Sequence, residues 1–138
     1  MTQPTKEANR QWDDEGFLVF ENAIQGEELT RLQSAFDHWA AACKEEWLQT
    51  VERGLHAATF YDIPDILEKD EVFIDIVDHS SYYPHLMAFT DQELMFLGPQ
   101  ARTVPPWVMS YTSWHPDVPY NNPLHIKVQI YINDVEPN

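Results

Sequence analysis

The stretch His125-Ile-Lys-Val-Gln-Ile-Tyr-Ile132 alternates without a break: Ile126, Val128, Ile130 and Ile132 fall on one side, His125, Lys127, Gln129 and Tyr131 on the other. Successive residues of extended backbone point to opposite faces, so the pattern predicts a β-strand with one face in an apolar core. The opposite face is polar. It is either solvated, as on an open sheet, or it lines a pocket.

Upstream, a different period takes over. Leu29, Leu32, Phe36, Trp39, Cys43 and Trp47 recur at steps of three and four, which places them along one face of a helix beginning near Glu27. The acidic Glu27 and Glu28 suit the positive end of its dipole. Two short helices are expected further on, one with Val72, Phe73, Ile76 and Val77 on a common face, the other from Tyr83 to Phe89 with Pro84 in its first turn. Near the start, residues 1 to 11 are polar and read as frayed, Trp12 to Gly16 as a helical turn closed by glycine, and Asn22 to Gly26 as a turn. The compact apolar runs Phe17–Phe20, Leu94–Leu97 and Trp107–Met109 read as further strands, the last two separated by a loop with Gly98, Pro99, Pro105 and Pro106. Periodicity fails between Gly54 and Pro64, which predicts a loop. Helices come first and strands last, an α+β order within one domain spanning residues 1–138.

Composition narrows the function. The chain has 138 residues, 43% of them apolar, with 5 Trp, 6 Tyr and 7 Phe, enough material for one core. Lys and Arg number 8 against 23 Asp and Glu, a formal charge of −15. Such a surface repels nucleic acid and anionic lipid, and the chain has no cluster of basic residues to displace counterions. No stretch approaches the roughly 20 apolar residues of a membrane span, and the start has no apolar signal core. A cytoplasmic protein acting on a small molecule is the expectation. Cys43 is the only cysteine, which rules out an internal disulfide, and its place in the helical stripe makes it a core thiol. The acidic runs Glu45-Glu46 and Glu68–Glu71 lack the oxygen spacing and central glycine of a calcium loop and read as solvated faces.

The residues that could carry chemistry are His115-Pro116-Asp117. In extended backbone, residues two apart project to the same side, so an imidazole nitrogen and a carboxylate oxygen can converge, while Pro116 restrains its own φ. These are two of the three donors in the 2-His-1-carboxylate face of non-haem Fe(II) oxygenases. The plainer reading has Asp117 capping a local turn and His115 hydrogen-bonding nearby.

Trp12-Asp-Asp-Glu-Gly-Phe-Leu-Val-Phe20, the turn at Gly26-Glu-Glu-Leu29, Ser113-Trp-His-Pro-Asp117 and Lys127-Val-Gln-Ile-Tyr-Ile-Asn-Asp-Val135 follow one another in an order that resembles the phytanoyl-CoA dioxygenase family. That resemblance implies N-terminal helices packed on a double-stranded β-helix, or jelly roll. It also implies Fe(II), the cosubstrate 2-oxoglutarate and O2, used together to hydroxylate an unactivated C–H bond. His115 and Asp117 would then be iron ligands. Gln129 matches a position that contacts the cosubstrate in some relatives, and Lys127 and Tyr131 share its face. Halogenating relatives carry a small residue where Asp117 stands, so hydroxylation is implied. The family's second histidine ligand and the arginine that pairs with 2-oxoglutarate lie on strands that would follow Asn138, which makes residues 1–138 the N-terminal portion of such a jelly roll. Within the chain, His125 is the best-placed substitute for the missing ligand. Unpaired strand edges in an incomplete jelly roll would invite association with a second copy. A non-catalytic cupin-like module, binding a small ligand on the polar strand face, or an inactive fragment is the alternative.

Overall fold

The computed structural model describes residues 5–56, 60–90, 93–103, 115–118 and 124–134. Helix α1, Lys6–Glu15, begins where the Thr5 hydroxyl accepts a hydrogen bond from the Ala8 amide at 3.1 Å and ends on Gly16, whose positive φ lets its own amide reach the Trp12 carbonyl. The turn expected at Trp12–Gly16 is therefore the end of a longer helix. The polar residues before it are helical from Lys6 onward, because an exposed helix needs a cap and local ion pairs such as Glu7–Arg10, not an apolar stripe.

Helix α2, Gly26–Glu52, is 27 residues long and runs on past the last residue of the stripe. Gly54 stops it. With φ at +70° it donates to the Val51 carbonyl while Leu55 donates to Thr50, so two of the helix's last carbonyls are satisfied within the turn. The predicted stripe faces inward. Leu32 is fully enclosed, and Leu29, Phe36, Trp39, Cys43 and Trp47 pack around it against Ile24, Tyr61, Ile63, Ile66, Val72 and Phe73.

What covers the stripe is a small antiparallel sheet and two short helical pieces. Strand β1, Tyr61–Ile63, pairs with β2, Ala101–Thr103, in the register Tyr61 to Thr103, Asp62 to Arg102 and Ile63 to Ala101. Tyr61 and Ile63 point into the core and Asp62 points outward, the alternation that the pleat demands. This corrects the loop expected between Gly54 and Pro64, and it places Arg102 in a strand within the stretch expected as a loop between Leu97 and Trp107. A 3₁₀ turn at Ile66–Glu68 leads to α3, Glu71–Asp75, whose start is capped by the Asp70 carboxylate accepting from the Val72 amide at 3.0 Å. Helix α4, Tyr83–Phe89, carries Pro84 in its first turn as expected. Its His85 is buried, with Phe20 edge-on at 4.7 Å, and its Phe89 stacks on Trp12 at 4.5 Å, which fastens α1 to α4.

Two apolar runs do not behave as the sequence suggests. Phe17–Phe20 and Leu94–Leu97 pair with no strand among the described residues and stay largely in water, Val19 at 72% and Met95 at 81% exposure. An apolar run becomes a strand only where a neighbouring backbone supplies the ladder. Trp107–Met109 lies outside the described residues. The His125–Ile132 stretch keeps its sidedness only in part and without a ladder: Ile126, Ile130 and Ile132 are half-buried and His125, Lys127, Gln129 and Tyr131 face solvent, but Val128, expected on the apolar face, is exposed as well. Ile130 and Ile132 pack on the core, and the Gln33 side-chain amide on α2 donates to the Ile132 carbonyl at 2.5 Å. The described fold is thus helical with a two-stranded antiparallel sheet, consistent with α+β. No described helix is long and apolar enough to cross a membrane.

Replacing Leu32 with alanine is expected to cost about 2–5 kcal/mol in a urea titration, since it opens a void in the centre of the core. His85 generates a pH dependence. Burial holds its imidazole below its ordinary pKa, so the unfolded chain takes up a proton before the folded one does. The stability this group contributes is complete above about pH 6.5 and is lost as the pH falls from there towards the depressed folded value. Thermal midpoints of His85→Gln should therefore fall less steeply than those of the parent chain over that window.

Candidate functional site

His115 and Asp117 flank Pro116, and their side chains turn to the same side: His115 Nε2 lies 3.5 Å from Asp117 Oδ1. The backbone reason is a spacing of two around a residue with fixed φ. The second carboxylate oxygen, Oδ2, accepts a hydrogen bond from Lys127 Nζ at 3.0 Å. One carboxylate is therefore divided between an imidazole on one oxygen and an ammonium on the other. All three side chains are about half exposed.

The electrostatics follow from that geometry. The hydrogen bond and charge of Lys127 hold the Asp117 carboxyl below its ordinary pKa, with smaller contributions from His115 and His125. Asp117 is thus an anion throughout the neutral range. In water, an exposed pair of this kind adds little to fold stability. Its effect is on the orientation and charge state of the carboxylate.

The remaining candidates divide. Lys127 joins the group, through Asp117. Gln129 does not: its side-chain amide donates to the Tyr131 hydroxyl at 2.7 Å, so those two neighbours on the polar face satisfy each other. That face is solvent-exposed where it is described, which favours the solvated reading over a lined pocket. His125 is near enough to act on Asp117 through its charge, yet no three His, Cys, Asp or Glu side chains among the described residues are grouped to hold a metal ion. Of the other histidines, His79 contacts Glu28 and Ser81, His38 lies edge-on to Trp39, His85 is buried on α4, and His56 is exposed past the end of α2.

Two interactions escape sequence reasoning. Arg102 makes a two-pronged contact with Asp62, at 2.6 and 2.8 Å, and its guanidinium lies over the Phe60 ring at 3.7 Å. The partners are forty residues apart, so no local pattern connects them. The pairing of Lys127 with Asp117 spans ten residues, and its only signal is a lone lysine on an otherwise uncharged strand face.

The chain matches no protein-family model, no curated protein and no solved structure.

Lys127→Met is expected to move the Asp117 pKa up towards the ordinary carboxylate range. Carbon-detected NMR titration of the aspartate side chains checks this, and an unmoved Asp117 resonance would mean that the ammonium does not hold it.

Proposed function

We propose that residues 1–138 are the N-terminal portion of an Fe(II)- and 2-oxoglutarate-dependent dioxygenase of the phytanoyl-CoA type, hydroxylating an unactivated C–H bond of a small organic or acyl substrate. The observation that carries this reading is the convergence of one imidazole nitrogen and one carboxylate oxygen, 3.5 Å apart. Two donors about 2.1 Å from one ion and at right angles to each other lie about 3 Å apart, so a small side-chain rotation brings this pair to ligating distance. The donor chemistry suits a divalent iron, one neutral nitrogen and one anionic oxygen.

His115 and Asp117 would hold the metal, through Nε2 and Oδ1. Lys127 keeps Asp117 ionised and occupies Oδ2, which leaves Oδ1 as the oxygen turned towards His115. Partners of this kind orient a ligating carboxylate, and here the positioning residue is an ammonium. Bound at such a site, ferrous iron with 2-oxoglutarate supplies the electrons that activate O2. The third protein ligand and the arginine for the cosubstrate carboxylate belong, on this reading, to chain following Asn138, as do the strands that would complete a jelly roll around the His125–Ile132 segment.

Anaerobic addition of Fe(II) and 2-oxoglutarate to the protein carrying its downstream strands is expected to give a visible metal-to-ligand charge-transfer band. His115→Ala and Asp117→Ala should each abolish the band and the turnover of 2-oxoglutarate to succinate. Retention of both by His115→Ala would sink the assignment. Saturable binding of a small ligand with no such band would instead support the cupin-like alternative.

A further inference from the structure

Where the last turns of α2 approach β1, the surface folds into an open cleft of about 300 Å³. That is the small end of the range for small-molecule sites. Three aromatic side chains, Trp47, Phe60 and Tyr61, line it together with Cys43, Glu46 and His56. Trp47 and Tyr61 lean on each other with ring centroids 5.2 Å apart, and both are fixed by the core beneath them. None of these residues belongs to the His115, Asp117 and Lys127 group, so the chemistry of this cleft does not depend on the dioxygenase reading.

The described charges at the cleft are two carboxylates and the Arg102 guanidinium that pairs with one of them. Glu46 and Asp62 line it, and no described lysine or arginine does. Asp62 is already neutralised by Arg102. None of the described hydrogen bonds or ion pairs engages Glu46, whose charge acts on the neighbouring Tyr61 hydroxyl. The aromatic wall already receives a cation, since the Arg102 guanidinium sits over one face of Phe60. Aromatic faces attract cations through their quadrupole, and an unpaired carboxylate beside a concave aromatic surface completes the recognition pattern for an organic ammonium ion. A chain of formal charge −15 also draws cations towards its surface.

We propose that the cleft between α2 and β1 binds a small organic ammonium ion, its charged head on Glu46 and its apolar body against Trp47 and Phe60. The charged head gives specificity and the aromatic wall gives contact area. A carboxylate ligand is excluded by the same charge that admits the ammonium.

The test uses phenethylammonium chloride as probe, with phenylethanol and phenylpropionate as neutral and anionic comparators, in calorimetric titrations and saturation-transfer NMR. One-site saturable binding is expected for the ammonium, weaker binding for the alcohol and none for the carboxylate. Glu46→Gln should weaken the ammonium about tenfold, the loss of one charge-assisted contact. Glu45→Gln removes the same charge one residue away, outside the cleft, and should leave affinity within about twofold of the parent because the general field changes little. Both positions are exposed on α2, so an unchanged thermal midpoint will show that each variant folds. Failure to saturate below about 10 mM, equal weakening by the two variants, or comparable binding of phenylpropionate would each overturn the proposal.

Discussion

A helix of 27 residues that carries one apolar stripe has to have that stripe covered, and the rest of the described fold is arranged around this need. The burial of apolar side chains is worth about 1.5–3 kcal/mol for each large residue fully removed from water, far more than helix propensity supplies along the same length. Leu32 marks the centre of the covered region. Around it, β1, the 3₁₀ turn and α3 are each too short to persist alone. They are held because each sets one or two large side chains, Tyr61 and Ile63, Ile66, or Val72 and Phe73, against the stripe.

Helices were legible in the sequence where their signal is local. The stripe of α2, the face expected from Val72, Phe73, Ile76 and Val77, and Pro84 at the start of α4 are each local patterns, and the structure places a helix at each, although α3 ends at Asp75 and leaves Ile76 and Val77 beyond it. Strands were not, because a strand is defined by a partner elsewhere. Tyr61–Ile63 is three residues beside Pro64, and its partner lies forty positions away in a stretch whose prolines and glycine read as a loop. Conversely, Phe17–Phe20 and Leu94–Leu97 have the composition of strands but no ladder among the described residues. Helix α1 was half hidden, since its start rests on the Thr5 cap and ion pairs rather than on hydrophobic period.

The candidate site follows the same division. The convergence of His115 and Asp117 is a property of a tripeptide and could be anticipated from it. Which oxygen faces the imidazole depends on Lys127, and the partner of Gln129 depends on Tyr131; both are choices made by side chains in three dimensions. Arg102 shows the cost of reading a charge by itself: opposite Asp62 and over Phe60, it joins two strands and closes one side of an aromatic wall.

The bond from Gln33 to the Ile132 carbonyl ties α2 to a segment ninety-nine positions away. Lys127 stands five residues before that anchor, a reach of about 17 Å if the backbone is extended. The ammonium that grips Asp117 and the carbonyl that meets the long helix therefore lie on one short run of chain, so the segment that joins the surface pair is also docked on the core.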